Sequence, residues 1–193
     1  MVKHIGIDYG AKLAGTTAIC FEKEQQLVIW QSEKKKDADA FVQKTIRQLQ
    51  PSAVFIDAPL SLPLAYFGEG DNYFYRDCDK ELKAMSPMFL GGLTARAIKL
   101  SKPFKDNGIT FYETYPAQIV KHYLIDSTEG YKKQKSFLPA FCKVLEEKMA
   151  ISFLETPTNW HQVDSVLAWW AGQRFEQGNV KFYGYEKEGL IYV

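Results

Sequence analysis

The chain of 193 residues, 46% of them hydrophobic, is long enough for one domain with a buried core and too short for two full lobes. Its 24 Lys+Arg against 23 Asp+Glu leave a net charge of +1, which excludes tail-like or histone-like binding of nucleic acid. It does not exclude a nucleic-acid enzyme, because an acidic metal site cancels a basic rim in the total.

The opening MVKHIGIDYG has no apolar leader, and no apolar run approaches the roughly 18 residues of a membrane span. The expectation is a soluble, cytoplasmic protein with no membrane partner. Cys20, Cys78 and Cys142 are odd in number and widely spaced, with no C-x-x-C, so neither a zinc ribbon nor a disulfide framework is indicated. They read as buried thiols.

Taken in chain order, His4 to Asp8 is a short apolar strand ending in an acid, and Gly10 and Gly15 punctuate the turn after it. Thr16 to Phe21 is β-branched and apolar, and Leu27 to Trp30 returns from a polar hairpin turn. Lys34 to Lys36 sit on the next loop. Asp37 offers an N-cap to a helix whose apolar residues Ala38, Phe41, Val42, Thr45, Ile46 and Leu49 recur at helical spacing, and Pro51 ends it. Ala53 to Ile56 is all apolar, as in a strand buried on both faces, and the chain leaves the sheet at Asp57 because Pro59 and Pro63 forbid a ladder.

Residues 64–108 read as a helical insertion or lid within a single domain spanning 1–193. In it Phe74, Cys78, Leu82 and Met85 form a helical stripe, and Gly91-Gly92 precedes a second helix that ends near Pro103. Ile109 to Glu113 is another strand ending in an acid, followed by a helix with Thr114 as cap and Pro116 in its first turn. Phe137 to Met149 and Trp160 to Phe175 are further helices, the latter capped by Thr158 or Asn159, and 182–192 is a terminal hairpin. A three-strand meander, a helix and then a parallel strand is an α/β layout with a mixed sheet.

The residues that carry chemistry are acids at strand ends: Asp8, Asp57 and Glu113. In open α/β sheets that carboxyl edge is where ligands bind. Asp164 lies in the first turn of the last helix, at the margin of an inward arc of Val163, Val166, Leu167, Trp170 and Arg174. Clustered carboxylates are costly unless protons or cations compensate, and hard oxygen ligands suit Mg²⁺ or Mn²⁺. Each acid also has a plainer role open to it: a turn former at Asp8, a capping acid at Asp57, a helix-orienting group at Glu113, and a first-turn carboxylate at Asp164. Arg76 and Asp79, three apart on one helix, either pair with each other or present Arg76, with Lys80 or Arg96, to a substrate phosphate. Ser61 has no nucleophile elbow and no evident histidine partner. Neither His4 nor His161 has a persuasive metal partner, and His122 reads as structural.

These residues carry a resemblance. Gly6-Ile7-Asp8-Tyr9-Gly10 with Gly15-Thr16-Thr17 resembles the opening hairpin of ribonuclease H-like folds. Ile56 to Pro63 resembles the IDxPLxLP segment of the domain-of-unknown-function 429 family of ribonuclease H-like nucleases. Arg76 to Asp79 looks like its R-x-C-D segment, and Glu113 to Pro116 like its E-x-(Y/H)-P segment. Asp164 to Ala168 resembles the start of its final helix, and Glu188 to Tyr192 its EGxIY close. In the last helix, Ser165 and the bulky Trp169-Trp170 depart from the family's small residues. The resemblance implies a mixed five-stranded sheet of order 3-2-1-4-5. It also implies a metal-dependent nuclease in which Asp8, Asp57 and Asp164 hold Mg²⁺ or Mn²⁺, Glu113 joins them in catalysis, and Arg76, Asp79, Lys80 and Arg96 meet nucleic acid. Two other readings stand beside it: a nucleotide-phosphate-binding ATPase or kinase-like protein, for which this chain has room for only one of the usual two domains, and a non-catalytic binding module.

Overall fold

The computed structural model describes residues 2–127 and 129–193. Strands β1 (His4–Asp8), β2 (Ala18–Lys23) and β3 (Gln26–Gln31) form an antiparallel meander. Helix α1 (Ala38–Leu49) crosses to β4 (Ala53–Asp57), which lies parallel to β1. A 3₁₀ turn at Leu64–Phe67 leads to the short helices α2 (Asp77–Leu82) and α3 (Pro87–Leu90) and to the longer α4 (Gly92–Lys105). Strand β5 (Thr110–Thr114) is parallel to β4. Then come α5 (Pro116–Tyr123), α6 (Leu138–Met149), a two-residue β6 (Ser152–Phe153), α7 (Trp160–Glu176) and a terminal hairpin of β7 (Phe182–Tyr185) and β8 (Gly189–Tyr192).

Among the described residues the strands make one mixed sheet of eight, in the order β6-β3-β2-β1-β4-β5-β8-β7. The expected 3-2-1-4-5 order is its centre, and the expected count of five is corrected to eight. The terminal hairpin does not stand apart: β8 pairs parallel with β5 through Glu113–Ile191 and Thr114–Tyr192, so the tail covers an edge that β5 would otherwise leave open.

Two apolar clusters lie on opposite faces. Ile5, Ile7, Val54 and Ile56 point toward α1 and α4, where Val42, Ile46, Ala97, Leu100 and Phe104 receive them. Phe55 and the inner strands' other face meet α7, with α5 and α6 outside it. The 64–108 segment is therefore not uniform, since α4 supplies a full share of one core layer while α2 and α3 are short. The expected stripe through Phe74 and Met85 does not form. Helix α2 begins after Arg76 and stops at Lys83, which is left-handed (φ 53°), leaving Phe74 and Met85 exposed and only Cys78 and Leu82 buried. Helix α4 ends at Lys105, close to the expected stop near Pro103, with Pro103 inside its last turn. All three cysteines are free and buried. Among the described residues no helix is long and apolar enough to cross a membrane.

The last helix is also less amphipathic than its expected inward arc. Val163 through Gly172 are buried without a break, because the sheet covers one side and α5 and α6 the other. The approach of α7 to β1 depends on Gly6. A Cβ there would collide with the Trp169 backbone nitrogen and the Ser165 carbonyl oxygen, so the two backbones meet directly. Gly172 makes a similar allowance, for the ring of His4. The bulky Trp169 is thus accommodated by smallness on the partner strand, and its ring stacks on His4 at 5.3 Å between centroids. Gly6→Ala is expected to cost about 1–3 kcal/mol or more through overpacking, read as a lower urea midpoint at unchanged slope.

Candidate metal centre

Pleat parity decides which strand-end acids meet. Asp8 and Asp57 are register partners on the parallel pair β1 and β4, so they lie side by side on one face. Ile7 and Ile56, one residue earlier, enter the α1/α4 core, which puts both acids on the α7 face. There α7 brings Asp164, 1% exposed, into the same place; the acid is the fifth residue of the helix, one turn in, and not the first-turn carboxylate that its sequence position suggested. One carboxylate oxygen from each of Asp8, Asp57 and Asp164 lies within 4.8 Å of the others.

Glu113 goes elsewhere. Its register partner on β4 is Ile56, not Asp57, so its side chain projects to the opposite face of the sheet. There it accepts two hydrogen bonds from Arg76, at 2.7 Å from Nη1 and 2.6 Å from Nη2. Arg76 is fully buried and donates also to Asp79, from Nε (3.0 Å) and Nη2 (2.7 Å), and to Ser61 Oγ (2.8 Å). A guanidinium has five N–H donors, and all five are thereby used. No donor remains for a phosphate, and the expected substrate-binding pair Arg76 and Asp79 is a buried ionic staple. Glu113 also accepts from the Leu60 amide, and Glu188 accepts from the amides of Leu64 and Asp77. The proline-rich segment, the R-x-C-D segment, the strand-end glutamate and the C-terminal turn are all tied at this one cluster.

The other two basic candidates are also accounted for. Arg96 bonds Asp39 through Nε and Nη2 and the Gly10 carbonyl through Nη1 (3.1 Å), with its guanidinium over the Tyr9 ring. It holds the loop that follows Asp8. Lys80 is exposed and paired with Asp77 on its own helix. Helix α7 is capped by Asn159, whose side chain accepts from the Gln162 amide, while Thr114, expected as a cap of α5, instead donates to the Tyr192 carbonyl (2.7 Å).

Three groups around the acids were not anticipated. His161 Nδ1 lies 2.8 Å from Asp8 Oδ2, Tyr131 donates to Asp164 Oδ1 at 2.5 Å, and Lys132 Nζ pairs with Asp164 Oδ2. His161 stands three residues before Asp164, a spacing that shares a helix face, so it was available to sequence reasoning. Tyr131 and Lys132 come from an irregular segment and carried no periodic signal. Lys132 reaches in from a left-handed backbone position (φ 60°). Asp57, by contrast, has no hydrogen-bond or ion-pair partner among the described residues.

The electrostatics follow from this crowding. Burial, then the charges of Asp8 and Asp164, hold the Asp57 carboxyl well above the usual carboxylate range. Burial pushes Asp164 up to about 6 against the pull of Lys132. The hydrogen bond to Asp8 raises His161. Burial lowers Lys132, but Asp164 with Asp57 and Asp8 outweighs it and the net shift is upward. A half-buried nest of carboxylates that resists ionisation is a site that gains from a cation, and an all-oxygen donor set fits Mg²⁺ or Mn²⁺.

The chain matches no model of a known protein family, and no curated protein aligns with it significantly.

Two outcomes are expected. Arg76→Met leaves Asp79 and Glu113 buried without their counter-charge and should cost about 3–5 kcal/mol in urea or thermal unfolding. Asp164, raised from 3.8 to about 6, binds its proton more tightly folded than unfolded. Its stabilising contribution is complete below pH 3.8 and is lost as pH rises through about 6. His161, also raised, acts in the same sense but at higher pH: its contribution is complete below 6.5 and is lost above that, outside this window. Chelator-treated wild type should therefore lose on the order of 3 kcal/mol across that window relative to Asp164→Asn, measured by urea unfolding at stepped pH.

Proposed function

We propose that the protein is a metal-dependent phosphodiesterase acting on nucleic acid, built on a ribonuclease H-like fold of the domain-of-unknown-function 429 type. The observation that carries this reading is the convergence of Asp8, Asp57 and Asp164, from three separate elements, on one point at the carboxyl edge of the sheet. The central order β3-β2-β1-β4-β5 supports the fold part of the proposal.

A divalent ion held there would polarise a phosphoryl oxygen and lower the pKa of a bound water. The chain's own groups prepare the site for it. Asp8 and Asp57 are presented by adjacent strands whose register leaves their carboxylates little freedom to separate. Burial and the charges of Asp8 and Asp164 make the Asp57 carboxyl hold a proton more tightly than usual, and a cation competes with that proton, so affinity rises with pH. His161, on the exposed side of Asp8, fixes that carboxylate's orientation through Nδ1. Lys132 supplies positive charge beside the place a phosphate must occupy.

The test is purified protein with Mn²⁺ or Mg²⁺ against single strands, duplexes, hybrids and branched DNA. Asp8→Asn and Asp57→Asn, each folded by circular dichroism, should lose cleavage by about 10²-fold or more, as expected for removing several kcal/mol of metal-derived stabilisation. Cleavage that persists unchanged in both variants overturns the reading. Tight ATP binding without cleavage of any nucleic acid would favour the nucleotide-phosphate alternative.

A further inference from the structure

We infer that the centre holds a single divalent ion, on Asp8 and Asp57, and that Lys132 stands as a fixed cation where a second ion would otherwise bind. This rests on the phosphodiesterase reading above and specifies the metal stoichiometry of that site.

The argument is one of unoccupied oxygen atoms. Asp164 has both carboxylate oxygens engaged: Oδ1 accepts from the Tyr131 hydroxyl and Oδ2 holds the Lys132 ammonium. Asp8 has Oδ2 on His161 and Oδ1 without a partner among the described residues. Asp57 has both oxygens free of protein partners among the described residues. The unengaged oxygens thus belong to the two strand-end acids, which are register neighbours. A two-ion clamp needs carboxylate oxygens on both sides of the reacting phosphate, with the ions about 4 Å apart. Here the Asp164 side already carries a positive charge and a hydroxyl donor.

The charge count agrees. Three carboxylates face one ammonium and one imidazole, so at most two negative charges are left uncompensated and one divalent ion is enough to offset them. A second ion would have to displace Lys132 from Asp164 or share its oxygen at like-charge contact. A lysine differs from an ion in being tethered: it cannot be chelated away, and it offers three donors but no open coordination position for water. The site would therefore activate its nucleophile on the Asp8/Asp57 side, with Lys132 facing the phosphate oxygens or the leaving group.

Calorimetric titration of the full chain with Mn²⁺ tests this, with electron paramagnetic resonance to detect coupling between paired Mn²⁺ ions. Wild type should bind one ion per chain and show no paired-ion coupling. Lys132→Met should admit a second ion and show coupling, while Lys132→Arg, which retains the charge, should stay at one. Two coupled ions in wild type overturn the inference whether or not the variants fold. One ion in a folded Lys132→Met removes the role given to Lys132. No binding to wild type at all overturns the metal-centre reading itself and this inference with it, which separates the two failures.

Discussion

Two parallel strands in register hold Asp8 and Asp57 together, and the rest of the site depends on that pairing. A pleated strand leaves a side chain only two faces, and a register partner must share the face of its neighbour. The isoleucines that precede the two acids are committed to the α1/α4 core, so the acids are committed to the other side. The sheet therefore forces two carboxylates into proximity, at a repulsive cost met by proton, lysine or metal.

Everything on the α7 face follows from that placement. Helix α7 must come close enough to deliver Asp164, and it does so because β1 carries glycine at position 6 where any side chain would strike the helix backbone. The same closeness buries Asp164 and raises its pKa, which couples a packing detail on β1 to the protonation of a residue far along the chain. The helix that delivers the acid also delivers His161, while the irregular segment before α6 brings Tyr131 and Lys132 to the outer side of the cluster.

The opposite face carries the second ionic cluster, whose logic is different. Arg76 spends every donor on Asp79, Glu113 and Ser61 and is fully buried. A buried network of this kind is weak evidence for net stability against apolar packing, but it is demanding of geometry. It joins the proline-rich loop leaving Asp57, helix α2, strand β5 and, through Glu188, the terminal turn. Its effect on the carboxylate cluster is indirect: it fixes the path of the chain immediately after Asp57.

The sequence by itself determined the α/β layout and the central strands and marked Asp8 and Asp57, because apolar runs ending in acids are local properties; helical periodicity put Asp164 only at the margin of an inward arc, and the family resemblance grouped it with the other two. His161 was also within reach, through its spacing from Asp164. Glu113 shows the limit. It has the same local signature as Asp8 and Asp57, an acid closing an apolar strand, yet a register offset of one residue sends it to the other side of the sheet. Register between strands more than fifty residues apart is set by packing over the whole sheet, and no local pattern records it. For the same reason the pairing of Arg76 with Asp79 was legible from their spacing but its burial against Glu113 was not, the terminal hairpin was legible but its pairing with β5 was not, and Lys132 carried no signal at all. Only the tertiary structure decided which acids share a face, which cation belongs to which cluster, and which carboxylate oxygens remain free.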